Sequence, residues 1–167
     1  MEEVIVVNEK DEIIGTMPKI EAHKSGVLHR IAVVYLENDK GEILVQHRAD
    51  GFLDHSSAGH VDVGESYEAA AYRELHEELG VKDVKLEYIG HGMTKDEIYP
   101  GGKRSSHVFD IFKCKAEPEE LQVDEVSNVY WANPPEILKD MKLKGQKYCR
   151  GFIVSLSVYL EYKKNNP

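Results

Sequence analysis

The 167-residue chain is long enough for one domain with a sizeable core and too short for two of ordinary size, so a single domain over residues 1–167 is expected. With 41% hydrophobic and 31% charged residues it has the profile of a soluble globular protein. A net charge of −9 argues against a nucleic-acid backbone or an anionic membrane surface as partner, because both are gripped through Lys and Arg; a small anionic substrate stays compatible if bound cations reverse the local field.

The acidic start MEEVIVVNEKDE has no basic stretch ahead of an apolar one, so no signal peptide is expected. Residues 3–7 and 12–16 are β-rich and separated by a polar turn, which predicts a hairpin over about 3–16. A short helical turn is expected over 18–25, ending near Gly26. Residues 28–36 and 42–47, rich in Ile, Val and Leu, read as central strands divided by the turn signal Glu37–Gly41. The clearest helix begins after Gly64, with Ser66 as N-cap, Tyr67, Ala70, Ala71, Leu75 and Leu79 at helical spacing, and Gly80 as stop. Strands are expected at 84–90 and 106–114, with a polar loop between them that contains Tyr99, Pro100, Gly101 and Gly102. A short strand at 128–132 precedes a helix opened by Pro134 and Pro135 and running to about Met141. Tyr148, Phe152, Leu156 and Tyr159 then place an apolar stripe on a C-terminal helix. Interspersed strands and helices of this kind imply an α/β layered domain with a mixed sheet covered by helices.

No apolar run is long enough to span a bilayer, since the longest candidate, Phe152 to Leu160, is broken by Ser155 and Ser157. Cys114 and Cys149 fit no metal-ligand spacing and read as buried, reduced thiols, which suits a cytoplasmic protein.

Residues 59–81, GHVDVGESYEAAAYRELHEELGV, follow the pattern Gly59-x5-Glu65-x7-Arg73-Glu74-Leu75-x-Glu77-Glu78-x-Gly80-Val81. On a helix Glu74, Glu77 and Glu78 lie at i, i+3 and i+4, and so share one face. Like charges at that spacing repel by a few tenths of a kcal/mol each, and a helix gains nothing from clustering them unless a cation is bound. All-oxygen ligands suit Mg²⁺, with Mn²⁺ as a substitute. A solvated acidic face is the bland alternative for an arbitrary Glu-rich helix; the spaced Gly59, Glu65, Arg73 and Gly80 set this one apart. Gly59 lets the backbone approach an ion with its carbonyl, Glu65 and Arg73 are expected to clamp loop to helix, and Gly80 ends the helix.

The segment 59–81 resembles the Nudix box at every defining position. That resemblance implies an α/β/α sandwich with a mixed β-sheet and Mg²⁺-dependent hydrolysis of a diphosphate linkage in a small metabolite, such as a nucleoside diphosphate derivative. Carried over residue by residue, the implied metal ligands are Gly59 (carbonyl), Glu74, Glu77 and Glu78. A further family glutamate corresponds to Glu125, six residues before Trp131, for which an exposed loop residue is an equal reading. Glu74, Glu78 or Glu125 would take the proton from the attacking water, and sequence does not choose among them.

The stretch AHKSGVLHR followed by the box Gly-His is similar to the isopentenyl-diphosphate isomerase branch of the same superfamily, whose histidines in matching contexts help bind a metal. The counterparts are His23, His29 and His60, with ordinary packing as the other reading for the first two. Those isomerases carry a catalytic cysteine where this chain has Ala58, and bacterial Nudix hydrolases of undefined substrate share both the His-x5-His-Arg entry and the intact box. Isomerase-like activity and a non-catalytic nucleotide-binding module are the rival functions. Arg48, His60 and Arg104 are candidate substrate contacts, while Lys103 reads as a solvated surface cation. Phe52 and Tyr99 could stack on a base or belong to the core. The N-terminal hairpin offers a surface on which a second copy could pack as a homodimer.

Overall fold

The computed structural model describes residues 1–99 and 104–167, arranged as nine strands and four helices. The turn expected around Pro100, Gly101 and Gly102, together with Lys103, lies outside the described residues.

The frame is set by β3 (His29–Glu37), which is buried on both faces. Successive side chains of a strand point to opposite sides, and here both sides are apolar. Ala32, Val34 and Leu36 face one cluster with Ala70, Ala71, Leu75 and Leu79 of α2 (Tyr67–Leu79). Ile31, Val33 and Tyr35 face the other, with Phe152, Leu156 and Tyr159 of α4 (Arg150–Asn165) and Ile137 and Met141 of α3 (Pro134–Lys144). The sheet is therefore covered by helices on both faces, as an α/β/α sandwich.

Neighbouring strands pair on β3 in both senses, which makes the sheet mixed. β8 (Arg104–Lys115) runs parallel to it over its full length, His29 opposite His107 through Glu37 opposite Lys115. β6 (Ser57–His60) is antiparallel to it, Ile31 opposite His60 and Val34 opposite Ser57. β4 (Ile43–Arg48) meets the end of β3 at a tight turn and then departs to pair with β5 (Leu53–Asp54) and β9 (Val126–Ala132). β7 (Glu87–Ile98) completes a long antiparallel hairpin with β8.

The N-terminal hairpin pairs β1 (Glu3–Val7) with β2 (Ile13–Pro18). Its turn residue Asp11 has φ of 61°, and both carboxylate oxygens are occupied: Arg30 donates at 2.7 Å and the Tyr67 hydroxyl at 2.9 Å. The hairpin leads into α1 (Lys19–Ser25), closed by Gly26.

α2 begins where Ser66 accepts from the Ala69 N–H at 3.0 Å, and no β-branched residue interrupts it. It stops at Gly80, whose φ of 69° suits glycine and whose Cβ, if present, would lie 2.7 Å from the Glu120 backbone nitrogen. Complete burial makes Leu75 a keystone of this layer, and its truncation to Ala would cost about 2–5 kcal/mol.

The structure departs from the sequence reading in two places. β7 runs to Ile98, well into the segment expected as loop, because its outer end pairs only with β8 and carries polar residues that show no alternation; it also begins at Glu87, so residues 84–86, expected as strand, lie outside it, while β8 begins two residues early at Arg104. β5 and β6, with the compositions Leu-Asp and Ser-Ala-Gly-His, have no strand signature of their own and are held by their partners β4 and β3. Among the described residues no helix is long and apolar enough to cross a membrane. Cys114 and Cys149 are both buried and unlinked.

Candidate active site

The inward face of α2 carries one carboxylate along with its apolar residues. Glu78 is 3% exposed, and its two oxygens accept from Gln46 Nε2 at 2.6 Å, the Ala58 N–H at 3.1 Å and Ser57 Oγ at 3.2 Å. Burial outweighs these donors and, with the nearby Glu74 charge adding to it, raises the Glu78 pKa to about 8. Glu74 is next toward solvent. Burial raises its pKa too, against a 2.6 Å hydrogen bond from Arg73, and the Glu77 and Glu125 charges push the same way. Glu77 is exposed. One helical face thus presents carboxylates at three depths to a single cavity of about 960 Å³, which Gly59 also lines.

Gly59 is fixed by contact with this wall. A Cβ there would fall 2.0 Å from the Glu74 carboxyl carbon, so only glycine permits the approach. Arg73 ties the turn to the helix: it donates to both oxygens of Glu65 at 2.9 Å each, to Glu74, and to the His60 carbonyl at 2.9 Å. Glu65 in turn accepts from the Asp62 N–H at 3.0 Å.

Arg48 and Glu125 line the same cavity. The Arg48 guanidinium is held by Asp50 at 2.7 Å and Asp54 at 3.3 Å. Glu125 is exposed and its carbonyl accepts from the Ala49 N–H, which docks its loop on the end of β4. Phe52 and Tyr99 meet edge to face at 5.2 Å on the rim. Arg104 is placed elsewhere: it leans on Gly26, ion-pairs with Asp96, and does not line the cavity. Among the described residues, ten carboxylates line the cavity (Glu2, Glu3, Asp50, Asp54, Asp62, Glu74, Glu77, Glu78, Asp124, Glu125) against the cations Lys19, Arg48 and Arg73. A phosphate entering this field needs bound cations to meet it.

A second donor set adjoins the first. His23, His29, His60 and His107 each offer a ring nitrogen, all within 4.8 Å of one another. The ladder register brings His107 beside His29, with ring centroids 4.5 Å apart, and His60 stacks on His29 at 5.1 Å with planes only 4° apart. His23 enters from α1. Burial, and then the neighbouring histidines His107 and His29, hold His60 well below the usual imidazole range, in its neutral, metal-ligating form.

Sequence reasoning passed over several of these groups. Gln46, Asp54, His55, Ser57 and His107 all contribute to the cavity wall or its backing. The one signal available was the unbroken polar run Asp54–Ser57 immediately ahead of the glycine motif, since four polar residues in sequence between apolar strands must either face water or find partners.

Comparison with known proteins agrees with this fold. The NUDIX domain family model matches residues 27–150. An uncharacterized Nudix hydrolase of Pseudomonas aeruginosa is 30% identical over 161 residues, covering 93% of this chain and 91% of the relative. Isopentenyl-diphosphate Delta-isomerase 2 of Photorhabdus laumondii is 35% identical over 144 residues, covering 80% of this chain and 78% of that one. The crystal structure of DR0079 from Deinococcus radiodurans superposes with a TM-score of 0.70 over 90% of this chain and 93% of that one, at 23% identity.

Proposed function

The chain belongs to the NUDIX domain family, and on that premise we propose that it is a Mg²⁺-dependent hydrolase of a diphosphate linkage in a small metabolite, of the nucleoside diphosphate class, with Mn²⁺ as substitute cation. The observation that carries this reading is the convergence of Glu74, Glu77, Glu78 and Gly59 on one cavity whose lining is strongly anionic. The residues fit a hard divalent cation: all are oxygen donors, and Gly59 leaves no side chain between its backbone and the Glu74 carboxylate. A cation bound there would withdraw charge from the diphosphate oxygens and acidify a bound water.

The chain's own residues then have separate tasks. Gln46, Ser57 and the Ala58 N–H orient the Glu78 carboxylate, and must share it with the cation. Arg73 holds the Gly59–His60 end of β6 against α2 through its bond to the His60 carbonyl. Glu74, Glu78 and Glu125 are the candidate acceptors of the water proton, Glu125 having the freest approach from solvent. Arg48 and His60, both on the cavity wall, are the proposed substrate contacts. The test is a screen of diphosphate metabolites with Mg²⁺ or Mn²⁺, with identification of the bridging oxygen that is cut. Turnover in wild type and its loss in Glu78→Gln is the expected result; undiminished activity of that variant would end the assignment.

The four-histidine cluster favours a second reading, in which a borderline transition metal sits beside the carboxylate site and the chain retains an isomerase-like metal centre. Ala58 supplies no thiol for the proton transfer that the isomerase resemblance implies. Incubation with isopentenyl diphosphate decides: dimethylallyl diphosphate formed without phosphate release supports this reading, and phosphate release without isomerisation removes it.

A further inference from the structure

From the cavity wall, which Asp54 and His55 both line, a chain of buried polar groups runs into the core toward α4. Asp54, on the wall, accepts from the His55 N–H at 2.8 Å and from His55 Nδ1 at 2.7 Å through one oxygen, and from Arg48 Nη1 at 3.3 Å through the other. His55 Nε2 lies 2.5 Å from Ser155 Oγ, and Ser155 Oγ lies 2.6 Å from the Tyr35 hydroxyl. One direction follows from chemistry. The carboxylate can only accept, so Nδ1 carries a hydrogen and donates it to Asp54. Ser155 Oγ links the other side of the ring to the Tyr35 hydroxyl, and the Phe152 carbonyl lies 3.3 Å from it.

The order Ser–His–Asp is that of a nucleophilic triad, but Ser155 is 0% exposed and enclosed by Tyr35 and His55, out of reach of any substrate. Nor does the series serve stability alone, because an apolar set of equal volume would fill the space between β3 and α4 with less desolvation. What the series does have is a direction: it starts in the core at Tyr35, crosses from α4 to the sheet, and ends on Arg48, which faces the cavity. Burial would raise the Asp54 pKa, yet His55 and Arg48 reverse this and hold it at about 2, so the carboxylate is a permanent anchor for the guanidinium.

We propose that His55 and Ser155 are positioning residues that, through Asp54, fix the Arg48 guanidinium on the cavity wall as the protein's own cationic contact for the anionic end of the substrate. This rests on the diphosphate reading for the identity of the ligand, but not for the positioning itself. Tyr35 and Ser155 set the imidazole, the imidazole sets the carboxylate, and the carboxylate holds the Nη1 end of Arg48 at 3.3 Å, beside Cys149 Sγ at 3.5 Å, while Asp50 takes Nε and Nη2 at 3.1 and 2.7 Å. Asp50, the other anchor, is 47% exposed and is the partner an incoming phosphate can displace.

Two measurements test it. In the ligand-free protein, nitrogen-15 arginine spectra should show Arg48 with restricted guanidinium rotation. That restriction should be lost in His55→Ala and Ser155→Ala and kept in His55→Asn, whose amide N–H replaces Nδ1–H. An Arg48 signal unchanged in both alanine variants overturns the proposal, whatever the substrate. Binding of imidodiphosphate with Mg²⁺ should weaken about 10-fold in His55→Ala, near the cost of one charge-assisted hydrogen bond. The same change made on an Arg48→Ala background should add no further loss. Additive losses would show that His55 acts on the protein at large and not through Arg48. Absence of imidodiphosphate binding in wild type, with Arg48 still loosened by the two variants, would tell against the diphosphate reading and leave the positioning intact. Ser155→Ala removes a single buried oxygen and serves as the conservative variant should His55→Ala fail to fold.

Discussion

Two neighbouring residues at the end of β6 look onto different chemistry. Gly59 abuts the α2 carboxylates, an all-oxygen wall with a steep change in burial from Glu78 to Glu77. His60, the next residue, points into an all-nitrogen cluster with His23, His29 and His107. The oxygen side arises from one helix and one sequence motif, so helical spacing alone assembles it. The nitrogen side draws on α1, β3, β6 and β8, and exists only because of sheet register. A hard cation suits the first and a borderline transition metal the second. Local geometry builds one set, and tertiary pairing builds the other.

That contrast can be broken at defined points. The largest effect is expected from Glu78→Gln, which removes the deepest carboxylate while keeping its shape: Mg²⁺-dependent turnover should fall on the order of 10³-fold, about 4 kcal/mol of barrier, by steady-state kinetics. Gly59→Ala should follow, with about a 10²-fold loss of kcat/KM, because its Cβ and the Glu74 carboxyl cannot both stay in place. His107→Ala should act on the nitrogen side. Affinity for Co²⁺, read from its visible absorption, should fall about 10- to 100-fold while the Mg²⁺ dependence of turnover is kept. Equal damage to both dependences would show that the two donor sets form one centre. Arg73→Ala should cost about 1–3 kcal/mol of stability, measured by urea unfolding, and lower kcat by loosening the end of β6 that both sides share.

A further effect is a pH dependence on the oxygen side. Burial holds the folded Glu78 pKa at about 8, above the ordinary glutamate value of 4.5, so its contribution to stability is complete below the unfolded value and is lost as pH rises through 8. Metal-free wild type should therefore lose thermal stability across that interval. Glu78→Gln should lose less, so that the difference in Tm between the two widens with pH.

The same division explains what the sequence disclosed. β3 and β4 were legible because their runs of Ile, Val and Leu admit no solvent-facing side, and α2 because Ser66, Gly80 and the apolar spacing agree. The layered α/β arrangement followed from these, and the α/β/α sandwich from the resemblance of residues 59–81 to the Nudix box. Glu65, Arg73, Glu74, Glu77 and Glu78 stood within one motif, and the structure sets them around one turn. His107, 47 residues beyond His60, carried no local signal, because its position beside His29 is a property of the β3–β8 register. Ser155 was equally silent, because a lone polar residue in a sequence does not say whether water or another side chain satisfies it, while His55 stood only within the polar run Asp54–Ser57. The depth of Glu78 was hidden for a related reason. Helical periodicity gives the face a residue occupies, but the partners Gln46 and Ser57 that make burial tolerable come from other strands.

The ladder between β3 and β8 also bears on descent. Position 107 is a rung directly facing His29, held by backbone pairing that does not depend on the side chain. A lineage could therefore exchange the donor on that rung by a change in a single codon, trading nitrogen for oxygen or sulfur, while the other three imidazoles keep their places. Which element such a protein recruits would then drift on a far shorter timescale than the scaffold that holds it.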